Sequence, residues 1–137
     1  IPNFTTTKDK NAPIISQIRT SIALSSRGDE VQTIITWNTD EPSTSQIEYQ
    51  IGFANDAPIV QMTKDISLRQ EHLMVITSFN PGSIYRFRVI SEDSSGNKTQ
   101  STTNTLLTPQ KRLTVTELIF QNFQQTFGWM KNLGVKF

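Results

Sequence analysis

Side chains able to carry out catalysis are sparse in this sequence. His72 is the only histidine and there is no cysteine, so a thiol nucleophile is excluded and a Ser-His-Asp triad can be built only around one imidazole. No HExxH, GxSxG or glycine-rich phosphate-binding motif occurs. His72 stands beside Glu71 at the start of an apolar run, where we expect a structural or a surface histidine. The sequence therefore predicts a protein that is not an enzyme and has no catalytic residues.

The charged residues indicate solvated turns rather than a reactive or nucleic-acid-binding surface. A general acid–base pair needs burial to separate the pKa values of its two carboxyl groups, and loop tips seldom provide it. Up to Gln110 the chain carries nine Lys or Arg against eleven Asp or Glu, and after it four against one. Neither part is basic enough to hold nucleic acid through its phosphates. Adjacent acids occur at three places: Asp29-Glu30, Asp40-Glu41 and Glu92-Asp93.

Apolar runs of strand length recur along the chain, separated by turn-rich stretches, and no helical period is visible before residue 114. In VQTIITW, Ile35 and Trp37 share one face, so Trp37 is predicted to anchor the core. In IYRFRVISED, Tyr85 and Phe87 face inward and Arg86 outward. HLMVIT is apolar on both faces, which predicts a more deeply covered strand. Together these runs predict a β-sandwich.

The order of these features resembles a fibronectin type III domain. The resemblance is carried by Trp37 followed by STSQIEY, FNPGSIYRFRV and SEDSSGN, spans Pro13 to Thr108, and is strongest to the bacterial type and to the non-catalytic N-terminal sandwich of purple acid phosphatases. It implies an all-β fold, an antiparallel immunoglobulin-like β-sandwich of about seven strands, with Tyr85 in the tyrosine-corner position. It also implies a module that positions or binds, because residues after 110 cannot supply a dimetal catalytic domain and no Arg-Gly-Asp triplet occurs.

In a sandwich of this type, the N-terminal entry and the loops that hold the second and third acidic pairs lie at the same pole. Asp9 and Asn11, just before the first strand, can join those loops. Carboxylate and amide oxygens are the ligands that Ca²⁺ prefers. Asp9, Asp40 and Asp93 are therefore candidate calcium ligands, the alternative being that they are ordinary residues of a linker and of solvated turns; no cofactor is otherwise predicted.

The C-terminal part predicts an amphipathic helix. TVTE, residues 114–117, fits a capping box, and a helix over 115–133 follows from it. The longest uninterrupted apolar run, Leu118-Ile119-Phe120, is far too short to span a membrane. Contact with a membrane surface stays open, although the polar face is rich in Gln and Asn rather than Lys or Arg. The predicted partner-binding residues are Ile119, Phe120, Phe123, Phe127, Trp129 and Met130.

The chain is thus divided into an extended N-terminal arm or linker (1–12), the sandwich (13–108), and a linker with the amphipathic helix (109–137). The helix packs either on its own sandwich, where Ile34 and Ile90 would supply an outer apolar surface, or on a protein partner or another copy. Since it would leave the pole opposite the arm, contacts between copies would run head to tail and can form a filament.

These features predict a non-catalytic structural or adhesion module, extracellular or at the cell surface, whose C-terminal helix mediates packing or assembly. The alternative is an accessory binding or spacer domain of a larger secreted enzyme, such as a hydrolase or phosphatase.

Overall fold

The computed structural model describes residues 9–111, and these residues form seven β-strands and no helix. The strands are β1 (Ile15–Leu24), β2 (Val31–Ile51), β3 (Val60–Gln61), β4 (Asp65–Ile76), β5 (Ile84–Glu92), β6 (Lys98–Gln100) and β7 (Asn104–Leu107). The prediction of an all-β fold with about seven strands is confirmed. The predicted helix over 115–133 and the first eight residues of the arm lie outside the described residues.

The long strand β2 takes part in two antiparallel sheets. Its first half lies between β1 and β4, with Thr33 opposite both Ile22 and Ile76. Its second half pairs with β5 and with the short β3. β5 in turn pairs with β6 and β7. The change of sheet falls where the register of β2 is irregular, between Asn38 and Ser45.

Both sheets contribute side chains to one core. In β5 the predicted alternation is present, because Tyr85 and Phe87 are buried while Arg88 is exposed. Trp37 is buried as predicted, and its Nε1 donates a hydrogen bond of 2.9 Å to Oγ of Ser91 across the sandwich. The buried core comprises Val31, Ile35, Trp37, Ile47, Ile76, Phe79, Tyr85, Phe87, Val89 and Leu106.

The tyrosine corner implied by the resemblance is also present. The backbone N–H of Asn80 donates to the hydroxyl of Tyr85 at 2.8 Å, and the Tyr85 ring stacks on Phe79 with centroids 3.8 Å apart. Gly82 has the positive φ of 62° that the Asn-Pro-Gly turn requires. The hydrogen bond and the ring stacking of Tyr85 hold the turn that leads into β5, so residues close in sequence position the start of this strand.

Two expectations about the outer surface were wrong. Ile90 is buried, so it cannot supply an outer apolar surface. HLMVIT is not covered on both faces, since Leu73 and Val75 are exposed. The physical reason for the second difference is that Leu73 and Val75 alternate with the buried His72 and Ile76, so they lie on the outer face of the sandwich, which no layer of residues 9–111 covers.

Candidate functional site

Three carboxyl groups meet at the pole where the N-terminal arm enters the sandwich. They belong to Asp9 in the arm, Glu41 in the irregular part of β2, and Asp93 directly after β5. One carboxylate oxygen from each lies within 4.8 Å of the other two. Calcium binds oxygen at about 2.3–2.6 Å, so two ligands on opposite sides of one ion are about 4.6–5.2 Å apart. The three groups can therefore contact a single ion.

Hydrogen bonds hold Asp93 in place. This residue is 7% exposed, and its Oδ1 accepts from the backbone N–H groups of Ser95 and Asn97, each at 2.9 Å. Nδ2 of Asn97 donates to Oδ2 of Asp93 at 2.9 Å and to the backbone oxygen of Asp9 at 2.7 Å. The bonds from Asn97 are the main cause of the lowered pKa of Asp93. The same asparagine thus fixes the carboxylate and ties the arm to the turn.

Glu41 is the member of this acidic cluster whose carboxyl group has an unsatisfied oxygen. Its Oε1 is withdrawn from solvent and has no hydrogen-bond partner among the described residues. Desolvation, followed by the negative charge of Asp9 and contact with Asp93, raises the pKa of Glu41 to about 7. A buried oxygen without a partner is costly. A cation among the three groups would remove that cost.

The structure brings together two of the three predicted calcium ligands. Asp9 and Asp93 meet as expected, whereas Oδ1 of Asp40 accepts from the backbone N–H of Ile14 at 2.7 Å, outside the cluster. Its neighbour Glu41 occupies the position instead. The sequence contained both acids, but the irregular backbone of β2 determines which of the two points at the pole.

His72 is a structural residue of the sandwich interior. Its buried ring stacks on Trp37, with centroids 4.9 Å apart and planes 6° from parallel. Nε2 lies 2.9 Å from the Thr39 hydroxyl, and Nδ1 lies 2.7 Å from the Ser45 hydroxyl. Desolvation, aided by the charge of Arg69, lowers the pKa of His72. Both ring nitrogens contact hydroxyls rather than a carboxylate, so the described residues do not form a Ser-His-Asp triad around this imidazole.

The largest apolar side chains left in solvent by the described residues include four on β4, which we call the β4 apolar edge. Leu73 and Val75 face outward, and Val75 lies opposite the half-buried Ile34 of β2. From Glu71 back to Asp65 every residue of β4 is exposed, so this part of the strand is uncovered on both faces. The β4 apolar edge consists of Ile66, Leu68, Leu73 and Val75, with Ile66 the most exposed at 77%.

A second group of exposed apolar residues, the β3 apolar patch, lies on the other sheet. It consists of Ile51, Phe53, Ile59 and Val60. The guanidinium of Arg86 lies 6.0 Å from the centroid of the Phe53 ring. Two of its four residues, Phe53 and Ile59, belong to the loop before β3, a strand of only two residues. It therefore offers little regular surface.

The six predicted partner-binding residues, from Ile119 to Met130, lie outside the described residues. The described chain ends at Lys111, which lies against Gly28 in the turn between β1 and β2. Within residues 9–111 there is no helix long and apolar enough to cross a lipid bilayer.

Comparison with known proteins finds a match among solved structures only. No family model matches the sequence, and no curated protein matches it. Among solved structures, the fourth FNIII domain of a human protein is similar, with a TM-score of 0.52 and 23% identity over 83% of this chain and 92% of that one. The fold is of the fibronectin type III kind. At 23% identity this likeness shows the fold alone.

Proposed function

We propose that this chain is a non-catalytic structural or adhesion module of an extracellular or cell-surface protein, and that its C-terminal segment, 109–137, mediates packing or assembly. The observation that carries the proposal is the β4 apolar edge, which a fibronectin type III-like sandwich leaves in solvent. Burying a large apolar side chain contributes about 1.5–3 kcal/mol, so four on one strand strongly favour a covering element. The apolar stripe predicted over 115–133 is the matching partner.

Removing the C-terminal segment tests this role. A chain cut after Lys111 keeps the contact with Gly28 and loses the predicted helix. We expect it to keep the circular dichroism of a β-sandwich, to melt at a lower temperature than the full chain and to bind a hydrophobic dye more strongly. Equal melting temperatures and equal dye binding for the two chains would remove the support for the proposal.

Light scattering over a range of concentrations distinguishes packing from assembly. A full chain that stays monomeric and melts at a higher temperature than the cut chain packs the segment on its own sandwich. Growth with concentration that the cut chain lacks indicates assembly instead, in head-to-tail order if it does not close. Co-sedimentation with anionic and neutral vesicles tests whether the C-terminal segment binds a membrane surface instead.

Labelling of intact cells with a membrane-impermeant reagent tests the extracellular location.

A second candidate role is calcium binding at the acidic cluster. The observation that favours it is the buried, unpaired Oε1 of Glu41, whose carboxyl group lies beside those of Asp9 and Asp93. An ion there would fasten the N-terminal arm to the sandwich, because the arm supplies Asp9 and the sandwich supplies the other two ligands.

The calcium role is tested with the metal alone. At a free concentration 100-fold above its dissociation constant, an ion bound only by the folded state adds about 2.7 kcal/mol, enough to raise the melting temperature by about 10 °C. We expect such a rise in CaCl₂ over chelator, its loss in Glu41→Gln, and its retention in Asp40→Asn, whose side chain lies outside the cluster. Equal melting temperatures in calcium and chelator would refute the role.

A further inference from the structure

We infer that residues 115–133 lie along the β4 apolar edge of their own sandwich. The inference rests on the proposed function and names the surface on which the C-terminal segment packs. Among residues 9–111, β4 pairs with β2 alone, so its other side is an open edge. An open apolar edge tends to pair with other chains, and native proteins commonly cover it with a helix or a loop. This edge needs such a cover.

The described chain ends at the right place to provide the cover. Lys111 packs so tightly against the turn between β1 and β2 that a Cβ at Gly28 would lie 2.5 Å from the Cβ of Lys111. β2 begins just after that turn, at Val31, and Ile34 lies opposite Val75. The Val75 end of β4 is therefore at the same end of the sheet as Lys111. A chain that continues from Lys111 reaches this end first.

The lengths of the two elements agree. A helix over 115–133 is about 28 Å long at about 1.5 Å per residue. From Val75 to Ile66, β4 extends for about 30 Å at about 3.3 Å per residue. A helix that starts beside Val75 and runs along this open side of β4 would thus end beside Ile66.

The connection favours the chain's own sandwich over a neighbouring copy. Only residues 112–114 separate Lys111 from the predicted helix, and a short connection gives an effective concentration in the millimolar range. A second copy at micromolar concentration competes poorly with that. The β3 apolar patch is a weaker alternative, since the two-residue strand β3 offers about 7 Å of regular surface to a helix four times as long.

Pairs of introduced cysteines test the path, on a chain that has no cysteine of its own. Two pairs match the proposed path: Val75→Cys with Ile119→Cys, and Leu68→Cys with Met130→Cys. The mismatched pair, Val75→Cys with Met130→Cys, is the control. We expect both matched pairs to form disulfides within one chain at least about tenfold faster than the mismatched pair. Equal rates, or disulfides formed only between chains, would overturn the inference.

An independent readout uses Trp129. Leu73→Asp places a charge on the β4 apolar edge, and Ile59→Asp places one on the β3 apolar patch, at positions of similar exposure, 58% and 62%. Leu73→Asp should shift the emission of Trp129 to longer wavelength, while Ile59→Asp should not. The reverse result would assign the segment to the β3 apolar patch and refute the path along β4.

The two proposals fail in distinguishable ways. If the full chain is more stable than the chain cut after Lys111 but the matched cysteine pairs react no faster than the control, the segment packs elsewhere and only the path along β4 is wrong. If truncation changes neither stability nor association, the proposed role of the segment is itself wrong.

Discussion

β4 and β5 have similar apolar content, but they differ in how many of their apolar side chains are buried. β5 pairs with β2 on one side and with β6 and β7 on the other, and its apolar residues are buried or half-buried. β4 pairs only with β2 within residues 9–111, and it leaves four large apolar side chains in solvent. The difference shows that position within a sheet, rather than composition of the strand, sets what a side chain contributes to stability.

If burial in β5 is what separates the two strands, the largest loss in the free energy of unfolding is expected on substitution of Phe87. This side chain is buried at the centre of β5 within the core. Phe87→Ala should reduce the free energy of unfolding by about 3–5 kcal/mol, because it removes buried area and leaves a cavity. Chemical denaturation with an unchanged m-value would measure this loss. A loss below about 1 kcal/mol would mean that the two strands differ less than their burial indicates.

Tyr85 offers a smaller test on the same strand. Tyr85→Phe keeps the ring against Phe79 but removes the acceptor for the Asn80 N–H. A partly buried N–H without a partner should cost about 1–3 kcal/mol. Denaturation measures the cost, and the control is Tyr49→Phe, whose hydroxyl bonds to the Ser78 hydroxyl in a solvent-exposed contact. Equal losses for the two variants would contradict the role of the corner.

Acidification should weaken the fold through His72, on the core face of β4. Its pKa is lowered in the folded state, chiefly by desolvation and then by Arg69, with Asp65 acting in the opposite direction. The stabilisation by the neutral ring is therefore complete above the unfolded-state pKa of about 6.5 and is lost as the pH falls below it.

Because Glu41 titrates near pH 7 with the opposite sign, the His72 effect is measured as the difference between the parent chain and His72→Gln. The parent should lose more stability than the variant between pH 7 and pH 5. Parallel pH profiles would show that protonation of His72 is not linked to unfolding.

The smallest effect is expected at Leu73. In the chain cut after Lys111, Leu73→Ala should change the free energy of unfolding by no more than about 0.5 kcal/mol, because the side chain is already in solvent. In the full chain the same substitution should cost about 1 kcal/mol or more if the segment covers β4. Equal effects in the two chains would argue against that cover.

Much of the fold could be predicted from local patterns. The alternation in β5, the Asn-Pro-Gly turn and the corner at Tyr85 each depend on residues close in sequence, and all three are present. The prediction for HLMVIT was wrong for a physical reason. Apolar residues on both faces of a strand indicate that each face packs against something, but they do not show whether the same domain supplies both packing surfaces. Leu73 and Val75 face outward on a strand with one neighbour.

At the acidic pole, too, the sequence predicted one part of the site and the tertiary structure decided the other. The sequence placed the acids in turns, which was wrong for Asp40 and Glu41 because both lie within β2, and the fibronectin type III resemblance placed them at one end of the sandwich. Only the tertiary structure selected Glu41 over Asp40, because side-chain alternation is lost where β2 changes sheets and its register becomes irregular. Period-two alternation is a property of a regular backbone, so the sequence determines which residues face inward only where the backbone stays regular.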